Sequence, residues 1–256
     1  MALAIDIGNT NIVLGCFHGE TIHFIARIAT ERNRTAEQYA AEIKSIIQLY
    51  DRDPKNIDGS IISSVVPPLT GVMKRAVEYI TGKTPLIVTP TMESGVGIQI
   101  DDPNQLGADL LVAAVASVNR YPLPQIIIDM GTATTFSVIN KDGAFCGGSI
   151  MAGVGLSLNA LTSGTAQLPA IDLSQPPKVC GTNTVDCMSS GVIYGAASMV
   201  DGMIDRLEEE LGESCSIIAT GGISKLIIPH CKHQNIVLND DLLLQGLADL
   251  YYKNKK

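Results

Sequence analysis

Tryptophan is absent from this 256-residue chain, and Phe and Tyr together bring the aromatics to only 4%. Core packing must therefore rest on aliphatic side chains, which the 46% hydrophobic content supplies. Basic residues are also in deficit: 18 Lys and Arg against 26 Asp and Glu leave a net charge of −8. That balance excludes nonspecific binding to nucleic acid or to an anionic membrane. An anionic substrate would have to be held by local donors and cations. The six cysteines include no Cys-x-x-Cys pair, and several stand in apolar, strand-like runs where Cys acts as a small hydrophobe. Disulfides are not expected, and a reducing cytosol fits. No run reaches the length of a membrane span, and no basic stretch followed by an apolar one opens the chain, so a cytoplasmic location is expected. There is no Gly-x-x-x-x-Gly-Lys-Ser/Thr loop, and no Gly-x-Gly-x-x-Gly opens a helix.

What is present is a repeat. Asp6-Ile7-Gly8-Asn9-Thr10-Asn11 recurs in altered form as Asp129-Met130-Gly131-Thr132-Ala133-Thr134. Each copy joins two apolar runs, which reads as two β-hairpins with an acidic residue and a glycine at the turn. Glycine lets backbone N–H groups approach a phosphate, Thr and Asn add donors, and the carboxylate recruits a cation. Two such turns at half-chain spacing point to a nucleotide held between two similar halves.

The rest of the chain fits that division. Strands are expected at Ala2–Asp6, Ile12–Phe17, Thr21–Ala29 and Gly59–Ser64, with a short one at Pro85–Val88. A capping box at Thr35-Ala36-Glu37-Gln38 opens a helix, Pro67-Pro68 starts another, and a third runs from about Ala108 to Asn119. A Gly- and Asp-rich loop is expected from Gly95 to Leu106. The second half repeats the opening with strands at Gln125–Asp129, Thr134–Asn140 and Ala144–Ile150. A helix near Gly153, a long loop over 163–183, a long helix from Asp186 and a closing strand–helix–strand–helix follow. The expectation is an α/β protein of two tandem ribonuclease H-like domains with mixed sheets, residues 1–120 and 121–256, and a nucleotide cleft between them.

Repeated Asp-x-Gly hairpins with a late Thr220-Gly221-Gly222 resemble the acetate/sugar kinase, actin and chaperone ATPase superfamily. Further motifs narrow the resemblance: Ile62-Ser63-Ser64-Val65-Val66-Pro67-Pro68, Gly107-Ala108-Asp109, Gly147-Gly148-Ser149-Ile150, Asn183-Thr184 with Ser190-Gly191, and Leu242-x-Leu244-x-Gly246-Leu247. In this order and spacing the chain resembles the type III pantothenate kinases along essentially its whole length. The resemblance implies ATP-dependent phosphorylation of pantothenate, the first step of coenzyme A synthesis. It implies that Asp6, Ile7, Gly8, Asn9, Thr10, Asn11, Ile12 and Val13 form the first ATP hairpin, with Asp6 organising Mg²⁺, and that Thr132 contacts ATP. Asp129 would hold a monovalent cation, K⁺ or NH₄⁺. Gly107, Ala108, Asp109 and Leu110 would line the pantothenate site, with Asp109 as the base. Thr184 would add a second pantothenate contact across a homodimer interface.

Three positions depart from the family pattern: Leu110 where arginine is common, Ile100 where tyrosine is frequent, and Ala152 where proline is usual. All lie near the expected acceptor site. A kinase of another small alcohol and a noncatalytic relative of the same fold therefore remain open beside the pantothenate reading. Two residues also have plainer readings. Asp109 could cap the helix at 108–119, and Thr184 could cap the helix beginning near Asp186.

Overall fold

The computed structural model describes residues 1–19, 21–174 and 178–255; part of the loop expected over 163–183 therefore lies outside the described residues. Along the chain run β1 (Ala2–Ile7), β2 (Asn11–His18), β3 (Thr21–Ala29), α1 (Ala36–Leu49), β4 (Gly59–Ser64), α2 (Pro67–Thr81), β5 (Leu86–Ile87), β6 (Gly97–Ile98) and α3 (Ala108–Val118). Then come β7 (Gln125–Met130), β8 (Ala133–Ile139), β9 (Ala144–Ala152), α4 (Val154–Ser163), α5 (Thr184–Leu211), β10 (Ser216–Thr220), α6 (Ser224–Ile227), β11 (Ile236–Leu238) and α7 (Leu242–Asn254).

These elements form two compact units. One comprises Met1–Val96, Asp101–Asn119 and Asp241–Lys256; the other comprises Gly97–Ile100 and Arg120–Asp240. The chain passes from the first unit to the second after Asn119, with α7 in the first unit and β6 in the second, unlike a division into 1–120 and 121–256. Both exchanges follow from pairing that the local sequence does not announce. Residues 97–98 sit in the loop expected over 95–106, yet they pair with Ala144 and Phe145 at the edge of the second sheet.

The first unit carries a five-stranded sheet in the order β3-β2-β1-β4-β5. β1 to β3 are antiparallel, while β4 and β5 run parallel to β1. Alternation along β1 assigns its faces. Leu3, Ile5 and Ile7 join Ile12 and Leu14 of β2 against Tyr39, Ile43 and Ile47 of α1 and Leu69 and Met73 of α2. Each aliphatic side chain so buried contributes about 1.5–3 kcal/mol. The other face bears Ala2, Ala4 and Asp6, and α7 packs against β1 and β4 there. The Thr35 capping box is present: the Thr35 hydroxyl accepts from Gln38 N, and the Gln38 side chain accepts from Thr35 N.

The second unit carries a six-stranded sheet in the order β11-β10-β7-β8-β9-β6. Ile126, Ile128 and Met130 of β7 pack with Ile217 and Ala219 of β10 against Ile193, Ala197, Val200 and Ile204 of α5. Asp129 lies on the opposite face, between Thr135 of β8 and Thr220 of β10, its direct partners in register. Both units therefore end a buried central strand in an aspartate followed by a glycine turn.

Candidate active site

At the first hairpin, Gly8 N donates to Asn11 O at 3.0 Å, which closes the turn between β1 and β2. Ile7 and Ile12 are fully buried and anchor the turn, so their side chains are not available at its surface. Val13 is half-buried and pairs with Asp6. Asn9, Thr10 and Asn11 are exposed at the tip. From the segment after β3, the Thr30 hydroxyl donates to Gly8 O at 2.7 Å and Arg32 Nη2 donates to Asn9 Oδ1 at 3.2 Å. Arg32 is thus a cation at the hairpin tip, where an otherwise acidic protein needs one. The sequence alone hides this contact, because Arg32 stands 23 residues away in a charge-rich turn.

Asp6 itself is 8% exposed and lies on the sheet face that α7 covers. Its register partner on β4 is Ser63, which is fully buried and whose hydroxyl has no hydrogen-bond partner among the described residues.

The second hairpin repeats the geometry, with Gly131 N donating to Ala133 O at 3.0 Å. Gly131 and Thr132 are exposed at its tip. Behind them Asp129, Thr135 and Thr220 bring one carboxylate and two hydroxyls to a single register on three adjacent strands. That all-oxygen set suits a hard cation. Gly221 closes the group: its φ is +93°, and a β-carbon there would lie 2.5 Å from Asp129 Oδ1. Only glycine combines that backbone conformation with that approach.

Asp109 stands in the first turn of α3, half-buried. Asp109 is not the N-cap, which is Gly107, and the cap residue itself makes no side-chain hydrogen bond. From the first turn, Asp109 Oδ1 accepts from Leu110 N at 2.8 Å, which satisfies one of the unpaired N–H groups at the helix start. Burial raises its carboxyl above the ordinary carboxylate value, and the Leu110 N–H donor offsets part of the rise. A raised carboxyl is a better proton acceptor than a solvated one. Ala108 and Leu110 are half-buried beside it.

Thr184 is not a cap either. Asn183 is the N-cap of α5, its side chain accepting from Asp186 N, which leaves Thr184 exposed as the first helical residue. It lines a cavity of 970 Å³ between α4 and α5, with Ala152, Ser157, Cys187, Gly191 and Gly195 among its walls. That volume is in the range of small-molecule sites.

Two ribonuclease H-like units, each carrying an Asp-x-Gly hairpin, place the chain in the fold class of the acetate/sugar kinases, actin and the chaperone ATPases. The fold alone is shared with the (R)-2-hydroxyglutaryl-CoA dehydratase component A of Acidaminococcus fermentans, at a TM-score of 0.59 and 16% identity over 98% of this chain and 97% of that one. It is also shared with the ADPNP-bound activator of the 2-hydroxyisocaproyl-CoA dehydratase of Clostridium difficile, at a TM-score of 0.57 and 13% identity over 98% and 93% of the two chains. The chain belongs to the type III pantothenate kinase family, whose profile matches residues 2–206. Type III pantothenate kinases of Roseiflexus castenholzii and Geobacter sulfurreducens are each 41% identical to it over the full length of both chains.

Proposed function

We propose that this chain transfers the γ-phosphoryl group of ATP to the 4′-hydroxyl of pantothenate, the first step of coenzyme A synthesis. The observation that carries the reading is Asp109: a half-buried, acceptor-grade carboxylate in the first turn of α3, within a chain that matches its family end to end. Phosphoryl transfer needs a positioned nucleophile and neutralised charge more than covalent catalysis. In this reading Asp109 accepts the hydroxyl proton, the freed oxygen attacks the γ-phosphorus, and ADP leaves. Gly107, Ala108 and Leu110 shape the acceptor site around it, and Thr184 adds a contact from the rim of the α4–α5 cavity.

Gly8 to Asn11 and Thr132 supply the phosphate donors, and Arg32 adds positive charge. Asp6 offers a hard oxygen ligand at the first hairpin, which suits Mg²⁺ or one of its bound waters. Bound with ATP, Mg²⁺ would neutralise charge on the transferred phosphate. Asp129 with Thr135 and Thr220 suits K⁺ or NH₄⁺. The reading includes a homodimer, supported by Gly191 and Gly195, where a β-carbon would meet nothing within 4 Å and the side of α5 that walls the cavity is open to close approach, and a cytoplasmic setting.

The test is formation of 4′-phosphopantothenate from ATP, Mg²⁺ and pantothenate, with and without K⁺. Product formation that rises with K⁺ and is lost in Asp129→Ala supports the whole assignment. Tight nucleotide binding without product would assign the chain instead to a noncatalytic branch. Product from a different alcohol in a substrate panel would move the acceptor, and Leu110 marks where such a change would lie.

A further inference from the structure

Ser63 carries a feature the assigned roles do not use. It is wholly buried at the C-terminal end of β4, yet its hydroxyl has no hydrogen-bond partner among the described residues. A buried polar group left unmade costs free energy that alanine, smaller and apolar, would not incur. Packing alone therefore gives no reason for serine at this position. Its neighbourhood does. β4 runs parallel to β1, and Ser63 is the direct register partner of Asp6. Paired residues on adjacent strands project to the same face, so the hydroxyl and the carboxylate share a face on neighbouring strands, with no hydrogen bond between them in this structure. The residues one step further back on that face, Ala4 and Ile61, are apolar. After β4 the chain enters α2 through Val66 and Pro67, so Ser63 sits at the C-terminal end of its strand, the same end of the sheet at which the Asp6 turn lies.

We propose that Ser63 is a positioning residue for Asp6: its O–H donates to the Asp6 carboxylate once a divalent cation and nucleotide engage that carboxylate. The inference rests on the reading of Asp6 as the Mg²⁺-organising residue. A carboxylate has about four acceptor directions, and a cation uses only some of them. A neutral donor fixed on the next strand fills another, holds the carboxylate in one orientation and leaves its negative charge intact for the metal. A lysine or arginine there would compete with the cation. A serine does not. The unmade hydrogen bond is then the cost of keeping the donor in place.

The test uses the full chain with Ser63→Ala and Asp6→Asn. Thermal unfolding is followed without nucleotide, and ATP binding is titrated at a series of Mg²⁺ concentrations. For Ser63→Ala the unfolding midpoint without nucleotide stays unchanged or rises. Its half-saturating Mg²⁺ concentration for ATP binding increases about tenfold, the size expected for a hydrogen bond to a charged group. A merely structural serine would lower the midpoint and leave the Mg²⁺ dependence alone, and that result overturns the proposal. If Asp6→Asn weakens Mg²⁺-dependent binding while Ser63→Ala matches the parent, the reading of Asp6 stands and the role of Ser63 is refuted. If Asp6→Asn binds Mg²⁺ and ATP like the parent, the Asp6 reading itself fails and takes the proposal with it.

Discussion

Asp109 and Gly107 fit together at van der Waals limits: Asp109 Oδ1 lies 2.5 Å from the point where a β-carbon on residue 107 would stand. The obstructing atom is the far end of a side chain, so Gly107→Ala can be accommodated by rotating the carboxylate. The fold should survive and the base should move. A displacement near 1 Å at a reacting group can cost about 10²-fold in rate. We therefore expect Gly107→Ala to keep its circular dichroism spectrum, with a small fall in midpoint because alanine is a poorer N-cap than glycine, while kcat drops about a hundredfold. Unchanged kcat would show that the orientation of Asp109 is immaterial.

Asp109 also sets a pH dependence whose sign follows from its surroundings. Burial raises its carboxyl. The folded chain therefore binds this proton more tightly than the unfolded chain. Stability falls as pH rises from the ordinary carboxylate value, about 4, through the raised one, and the penalty is complete above it. Replacing Asp109 by Asn removes the buried charge, so the variant should unfold at a higher temperature than the parent at pH 7, with the gap closing near pH 4. Turnover should fall about 10²–10⁴-fold, the usual weight of a general base. In the parent, kcat should climb with pH through the raised carboxyl value. A variant that retains turnover, or an acidic limb absent from the parent profile, contradicts the assignment.

Arg32 gives a prediction of the opposite kind, affecting affinity and not stability. It is exposed and touches the structure at Asn9 Oδ1. Arg32→Ala should leave the unfolding free energy within about 0.5 kcal/mol of the parent, as surface changes usually do. The KM for ATP should rise severalfold, and the rise should shrink at high salt because an exposed charge is screened. An effect on pantothenate KM alone would place Arg32 at the acceptor instead.

These residues show what was legible in the chain and what was not. The two hairpins, the Thr35 capping box and strand Gly59–Ser64 were readable because local chemistry fixes them: short, largely apolar runs, a cap with its partner three residues on, and glycine at the turn. Asp109 and Thr184 were findable by motif, but whether they cap their helices depended on backbone geometry that Gly107 and Asn183 decide. Thr135 and Arg32 gave no local signal, and Ser63 stood in a motif that gave it no role. Their importance comes from strand register and from a turn folding back over 23 residues, which one sequence does not encode in any window. The placement of β6 and α7 failed to show for the same reason. β6 is two residues long, and α7 is an amphipathic helix whose partner cannot be read from its own spacing.

That last helix carries the most demanding packing in the first unit. A β-carbon on Gly246 of α7 would lie 2.1 Å from Val112 O and 2.9 Å from Val112 C, both backbone atoms of α3. Neither can rotate away, so Gly246→Ala must push the two helices apart. Overpacking of this kind costs about 1–3 kcal/mol, and each kcal/mol lowers the midpoint of a chain this size by about 2–4 °C. Since α3 carries Asp109, kcat should fall together with stability, and the larger loss of stability separates this variant from Gly107→Ala. Gly71 supplies the control. It is exposed in the middle of α2, and a β-carbon there meets nothing within 4 Å. Gly71→Ala should instead stabilise the chain by about 0.5–1 kcal/mol through reduced backbone entropy in the unfolded state. Equal midpoints for the two alanine variants would show that the α3–α7 contact is looser than this geometry requires.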